Sequence, residues 1–393
     1  MIRVGVVGAG AMGQVHCTAL PRVGNCEFTA VADVKLEVAK QVAQKFGTKA
    51  YADYNQMWGD VDGIIVATPP DSHKEIVLAA AEAGVHSFCE KPISRTLADA
   101  DSMIKATEKS SLVFMIGHVL RFYPVHILGK KLVDGGEIGN VVYVETDYTS
   151  RYSAPRTKPS SWYGTVGGLL ENGIHKADLI NWFGGEAATV ASEVGSLSRY
   201  EDWEDYAVTL VRYNSGIVGI LRWGPFMGAR GTTDTVLDGS KGSLRLSISN
   251  GMVYRKLMDE GDWVDIAPDV PAGSGWIDYV VGELTHFVDC ILEGKTPITD
   301  GRVGRRAIEL VIASYRSAKE RRSLCRYDVE YMCHGIIGFF GARRSIDCQD
   351  SSPRQPKGHS MLLMYSMSFL VICNLCPRGK FASDSSSIVK SPS

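Results

Sequence analysis

Glu171, His175 and Asp178 fall within GGLLENGIHKAD, a glycine-opened stretch that runs into the apolar helical pattern LINWF. Glu171 stands four residues before His175, and Asp178 three after it. On a helical turn these spacings make the three side chains neighbours. An imidazole held beside a carboxylate accepts a proton near neutral pH. The same stretch also reads as the start of a helix, with Asp178 solvated or satisfying backbone groups. A second chemical group is Glu90-Lys91-Pro92, which closes the apolar run VHSFC. The Lys91 ammonium can stabilise negative charge on a reacting oxygen. In the bland alternative it only neutralises Glu90, and Pro92 starts the next helix.

Such groups need a cofactor that carries the redox chemistry, and the N-terminus predicts one. MIRVGVVGAGAMG is an apolar β-run that breaks into Gly8, Gly10 and Gly13 just before a helical pattern. Gly8 permits the tight turn, Gly10 leaves room for a pyrophosphate, and Gly13 lets the helix pack on the strand. With Ala11 and Met12, these residues form the expected phosphate-binding turn at a helix N-terminus. The next strand, FTAVAD, ends at Asp33, twenty residues beyond Gly13, where a carboxylate accepts hydrogen bonds from an adenosine ribose. Asp33 repels a 2′-phosphate and is followed by Val34, so the expected cofactor is NAD, with NADP left open by Lys35.

The elements that must position these residues follow from hydrophobic patterning. GIIVATPPDSHKEIVLAAAEAG at 63–84 gives a buried strand, a Pro69–Pro70 turn and a helix; VHSFCE, a helix over 97–109 and the strand LVFMIG follow. Residues 1–120 are expected to form a Rossmann domain, a doubly wound parallel sheet. Ligands of such sheets lie beyond the strands' carboxyl ends, where Thr68, Pro69, Glu90, Lys91 and His118 fall. An amphipathic segment over 124–134 then precedes seven short β-like runs from VVYVETDY to MVYRKL and two helices, 276–292 and 302–319. Residues 121–328 therefore read as an α/β domain with a largely antiparallel open sheet. One face of that sheet is left for a partner, so a homo-oligomer, dimer or tetramer, is expected. Residues 329–393 read as an irregular tail.

The chain has 393 residues and a formal charge of −2, which fits a soluble enzyme and gives no general attraction to nucleic acid. Nine scattered cysteines read as reduced thiols, and with no signal-peptide pattern at the start this points to the cytoplasm. The Cys373–Cys376 pair lacks further ligand spacing, and no metal is expected. MLLMYSMSFLVICNLC at 361–376 is short for a bilayer span, so no membrane anchor is expected.

The Gly8/Gly10/Gly13 fingerprint, Thr68-Pro69-Pro70 with His73, Glu90-Lys91-Pro92, Arg121-Phe122 and the Glu171-to-Asp178 segment resemble the glucose–fructose oxidoreductase/inositol dehydrogenase family over about residues 1–328. The resemblance implies a Rossmann domain, a C-terminal α/β domain, and oxidation or reduction of a sugar or cyclitol hydroxyl. It implies that Lys91 lies beside the nicotinamide and that His175 transfers the proton. His73 and Glu90 join the cofactor-binding set. The family usually has aspartate where this chain has Glu171, a departure that can shift a carboxylate by about a bond length. Glu171 is expected to orient His175. His118, Arg121, Tyr123, Trp162, Tyr163 and Asn172 are the candidate substrate-binding residues, with Arg121 able to grip a carboxylate or phosphate. A dinucleotide-binding sensor with weak or no catalysis is the alternative reading.

Overall fold

The computed structural model describes residues 1–149, 167–196, 204–224, 231–266, 275–322 and 324–325. Trp162, Tyr163, the 329–393 tail and the Cys373–Cys376 pair lie outside these residues. Among the described residues, no helix is long and apolar enough to cross a membrane.

Six strands, β1 (Ile2–Val7), β2 (Cys26–Ala32), β3 (Lys49–Tyr51), β4 (Gly63–Val66), β5 (His86–Cys89) and β6 (Phe114–Ile116), form an all-parallel sheet in the order β3-β2-β1-β4-β5-β6. Helices cover both faces, which is why the strands read as unbroken apolar runs. Ile64 and Val66 of β4 pack toward α3 (His73–Glu82) and α4 (Leu97–Lys109), while Ile65 packs toward α1 (Ala11–Ala19) and α2 (Leu36–Phe46). The strand order reverses between β1 and β4, so a crevice opens beyond their carboxyl ends. β3 is absent from the sequence reading because three residues carry too little periodicity to register.

The second sheet contains β7 (Val141–Thr149), β8 (Ala187–Gly195), β9 (Tyr206–Tyr213), β10 (Val218–Gly224), β11 (Thr235–Gly239), β12 (Gly242–Ser247), β13 (Met252–Leu257), β14 (Val264–Ile266) and β15 (Leu324–Cys325). Its order is β14-β13-β12-β11-β7-β10-β9-β8-β15, antiparallel except for the β7–β10 pair. One face is covered by α5 (Pro124–Asp134), α6 (Ile174–Gly184) and α8 (Gly301–Glu320). On β9, Ala207, Thr209, Val211 and Tyr213 turn toward these helices, and Val208 and Leu210 stay exposed on the other face. The remaining helix, α7 (Trp276–Glu293), packs on α1 and so belongs to the first sheet's core.

α6 carries His175, and glycine sets how closely it sits on the sheet. A Cβ on Gly184 would fall 2.4 Å from the Tyr213 ring, and one on Gly173 would fall 3.1 Å from Trp223. The turn before α6, Leu169–Gly173, is wound as a π-helix rather than as the first turn of an α-helix. Insertions of this kind are frequent at functional sites.

Candidate active site

The glycine loop has the shape its sequence predicts. Gly8 adopts φ +94°, and a Cβ there would come within 2.8–2.9 Å of Thr68 and Ala67, so the β4 loop crosses directly over it. A Cβ on Gly13 would lie 1.8 Å from the Gly8 carbonyl oxygen, so α1 and β1 meet there without side chains. At Gly10 a Cβ meets nothing within 4 Å. Gly10 is the N-cap of α1, and no side chain caps the helix. Its first N–H groups therefore stand over open space, the arrangement a pyrophosphate needs.

Asp33 sits beside this loop. Its Oδ2 accepts from the Ala9 N–H at 2.9 Å and its Oδ1 from the Lys35 N–H at 2.8 Å. A carboxylate has about four acceptor positions, so two remain for ribose hydroxyls. The residues present fit a dinucleotide. Gly10→Ala is expected to fold normally and to weaken NAD binding at least about tenfold, on the order of 1.4 kcal/mol, in a fluorescence titration. Gly13→Ala is expected instead to lower the melting temperature, because its Cβ overlaps backbone at a cost of about 1–3 kcal/mol.

Two residues assigned to cofactor contact turn out to brace the loops. His73 is fully buried, with Nε2 2.9 Å from the Thr68 carbonyl oxygen and Nδ1 3.2 Å from that of Pro92. Burial lowers its pKa against the pull of these carbonyls, and the ring lies wedged between the β4 loop and the cis Lys91–Pro92 turn, where a neutral imidazole donates to one of them. Glu90 is also buried: its Oε1 meets His16 Nε2 at 2.8 Å, and its Oε2 accepts from the Lys91 N–H at 3.1 Å. Burial would push its carboxyl up, but the hydrogen bond and charge of His16, with Lys91, hold it below the usual range. His16 carried no signal in the sequence beyond its place on the glycine-loop helix.

Lys91 Nζ donates to the Glu171 carbonyl oxygen at 2.8 Å and lies 3.7 Å from Glu171 Oε1. The expectation that Glu171 orients His175 is therefore corrected. His175 Nδ1 is buried and has no hydrogen-bond partner among the described residues. A carboxylate as buried as Glu171 needs a countercharge, which the ammonium supplies and a neutral imidazole does not. His175 is neutral because burial, then the Lys91 charge and the electrostatic coupling to His118 and Lys176, push its pKa well down. His118 packs edge-on to it with ring centroids 6.3 Å apart. Both His118 nitrogens are buried without partners among the described residues, and burial lowers its pKa as well.

The proposed anion grip at Arg121 is also corrected. Its Nε and Nη2 bind Asp178 Oδ2 and Oδ1 at 2.9 and 2.6 Å, and Nη1 donates to the Ile298 carbonyl at 2.8 Å. Both side chains are at most 5% exposed, so the fork is occupied and the pair ties the Val119–Phe122 turn to α6. Burial would raise the Asp178 carboxyl, but Arg121 holds it below its ordinary range. Arg121→Ala is expected to cost about 3–5 kcal/mol of stability by leaving a buried carboxylate alone. Adding Asp178→Asn should restore part of that loss in a denaturant titration. Tyr123 packs against Tyr279, the rings tilted at 43° with centroids 4.3 Å apart, which makes it a packing residue of the junction. Asn172 accepts from Trp223 Nε1 through its Oδ1 at 3.4 Å.

Lys91, His175, His118 and Glu171 thus gather at the carboxyl ends of the first sheet, close to the glycine loop. The arrangement brings one fixed ammonium together with two imidazoles whose pKa values burial lowers, those of His175 and His118.

Comparison with known proteins agrees with this geometry. Two family models match: "Oxidoreductase family, NAD-binding Rossmann fold" over residues 2–118 and "Oxidoreductase family, C-terminal alpha/beta domain" over 130–326. The chain is 28% identical over 340 residues to myo-inositol 2-dehydrogenase of Thermotoga maritima, covering 82% of this chain and 98% of that protein. It is 27% identical over 329 residues to scyllo-inositol 2-dehydrogenase (NAD⁺) of Bacillus subtilis, covering 80% and 94%. The solved structure of levoglucosan dehydrogenase with NADH superposes with a TM-score of 0.76 at 23% identity, covering 82% and 98%, and so shares the fold. The protein belongs to the glucose–fructose oxidoreductase/inositol dehydrogenase (Gfo/Idh/MocA) family of NAD-binding oxidoreductases.

Proposed function

We propose that the protein is an NAD-dependent dehydrogenase that oxidises, or forms by reduction, a secondary hydroxyl of a sugar, a sugar derivative or a cyclitol. The observation that carries this reading is the meeting of Lys91 and His175 at the mouth of the dinucleotide crevice, with Lys91 held at 2.8 Å on the turn that leads to His175. Bound NAD supplies the hydride acceptor. The chain's own residues manage the proton and the charge. His175, kept neutral by burial and by the Lys91 charge, has a ring lone pair ready for the hydroxyl proton. Lys91 donates toward the same oxygen as it gains negative charge. Glu171 places Lys91, through its carbonyl and its carboxylate.

Asp33 supports NAD over NADP, since its two oxygens already take backbone N–H groups and would repel a 2′-phosphate. The similarity to inositol dehydrogenases supports a polyhydroxylated substrate. A homo-oligomer, dimer or tetramer, is supported by Val208 and Leu210 on the open face of the second sheet. Cys17, Cys26, Cys89 and Cys290 are free thiols, in keeping with a cytoplasmic protein.

The test is NAD⁺ reduction followed at 340 nm against inositols, aldoses, sugar acids and nucleotide sugars. Turnover with any of these that disappears in Lys91→Ala supports the reading. Tight NAD binding with no turnover across the panel would replace it with the dinucleotide-binding sensor.

A further inference from the structure

Between the phosphate-binding helix and the lysine runs a continuous buried path. His16 lies six residues after Gly10, on α1, and is fully buried. Glu90 closes β5 and directly precedes Lys91 in the chain. An ionised carboxylate only accepts hydrogen bonds, so His16 Nε2 must donate to Glu90 Oε1 across their 2.8 Å. The other oxygen, Oε2, takes the Lys91 backbone N–H at 3.1 Å. Lys91 Nζ then reaches the Glu171 carbonyl at 2.8 Å.

The surroundings hold this path rigidly. His16 packs edge-on to Phe88 with centroids 5.3 Å apart, and Phe88 packs in turn on Phe287 of α7 at 5.9 Å. A Cβ on Gly117 would lie 3.2 Å from Glu90 Oε2, so the backbone after β6 closes the carboxylate from that side. His16 Nδ1 is buried without a partner among the described residues, so Glu90 is the polar contact of this ring.

We propose that His16 is a positioning residue for Lys91: acting through Glu90, it ties the helix that receives the pyrophosphate to the backbone of the lysine that meets the substrate. This rests on the dehydrogenase reading above. Binding at the α1 N-terminus and the placement of the Lys91 ammonium become parts of one buried hydrogen-bonded unit. A displacement of about 1 Å at a reacting group can cost on the order of a hundredfold in rate, so a strut of this kind has kinetic consequences. A helix-packing histidine would have none beyond stability.

The charge on Glu90 is what the strut requires. Six groups are electrostatically coupled to it: His16 from α1, Cys89 and Lys91 on either side in the chain, His73 from α3, His118 after β6, and Glu283 from α7. Glu283 is kept protonated by burial and by the charges of Glu90 and Asp178, so it does not add a second buried anion. When His16 is replaced by an apolar residue, burial governs Glu90 with less opposition, and the carboxyl takes up a proton at higher pH.

The experiment compares His16→Leu, His16→Gln and Glu90→Gln in the full chain, with folding checked by circular dichroism. For His16→Leu, kcat should fall at least about tenfold at saturating NAD. Its NAD affinity should stay at the wild-type value, and the acid limb of its kcat profile should move to higher pH. His16→Gln, which returns an N–H donor, should recover most of kcat. Glu90→Gln, which has no carboxyl to protonate, should keep only the limb set by His175. A second readout needs no substrate: the rate at which the Lys91 amine is acetylated in the ligand-free protein, followed by mass spectrometry, should change in His16→Leu and return in His16→Gln.

Wild-type kcat, pH profile and acetylation rate in His16→Leu would overturn the proposal, as would parallel loss of kcat and NAD affinity. If the wild-type protein turns over none of the polyols, the dehydrogenase reading fails by itself, and the acetylation rates still decide whether His16 places Lys91.

Discussion

Lys91→Ala is expected to lower kcat/KM about a hundred- to a thousandfold, the size of effect seen when a preorganised donor to a developing oxyanion is removed. NAD should remain bound, because the glycine loop, the α1 N-terminus and Asp33 are untouched by the change. The loss should appear in kcat. An ammonium whose main role is to meet charge that develops during reaction contributes to the transition state rather than to ground-state binding. The change also strips the buried Glu171 carboxylate of its neighbour at 3.7 Å, so some stability is lost too. Lys91→Met keeps the aliphatic stem and serves as the control for packing. Measured at 340 nm with NAD affinity determined separately, a fall of less than about threefold in both variants would remove Lys91 from the reaction.

His175→Ala is expected to reduce kcat by about 10²–10⁴-fold, the usual contribution of a positioned general base. The pH profile gives the sharper signature. A base works in its deprotonated form, and in the free protein burial, then the Lys91 charge and the electrostatic coupling to His118 and Lys176, lower the His175 pKa well below that of an ordinary histidine. Wild-type kcat/KM for oxidation should therefore stay level as pH falls through the ordinary histidine range, and decline only further on the acid side. In Lys91→Met one of the lowering charges is gone, so the acid limb of the residual rate should move to higher pH. A wild-type limb centred in the ordinary histidine range would show that His175 is not held as this geometry holds it.

Much of this architecture was legible because its signals are local. The Gly8-Gly10-Gly13 spacing demands a particular backbone path, and Gly8 at φ +94° with Gly13 against the Gly8 carbonyl is that path. Apolar runs such as GIIV and VGVV announce strands covered on both faces, while β9, with alternate residues exposed, announces a sheet covered on one. The helices over 97–109 and 124–134 coincide with α4 and α5 because their apolar stripes and start signals are complete within the segment.

Pairings between distant residues were a different matter. Spacing alone joined Glu171 to His175, but the carboxylate turned to an ammonium 80 positions away in sequence, because a buried charge takes the strongest available countercharge. Arg121 read as a free anion grip, since nothing near it in sequence shows that Asp178, 57 residues on, fills its fork. Nothing in the sequence sets His16 apart on the glycine-loop helix; only β5 brings Glu90 against it. The sequence by itself determined the two sheets and the dinucleotide cradle, and singled out Lys91 and His175 as candidates, because each is written in contiguous residues and short periods. Only the tertiary structure decided which charge neutralises which, because burial removes water as a partner and leaves the choice to whatever the fold brings within reach.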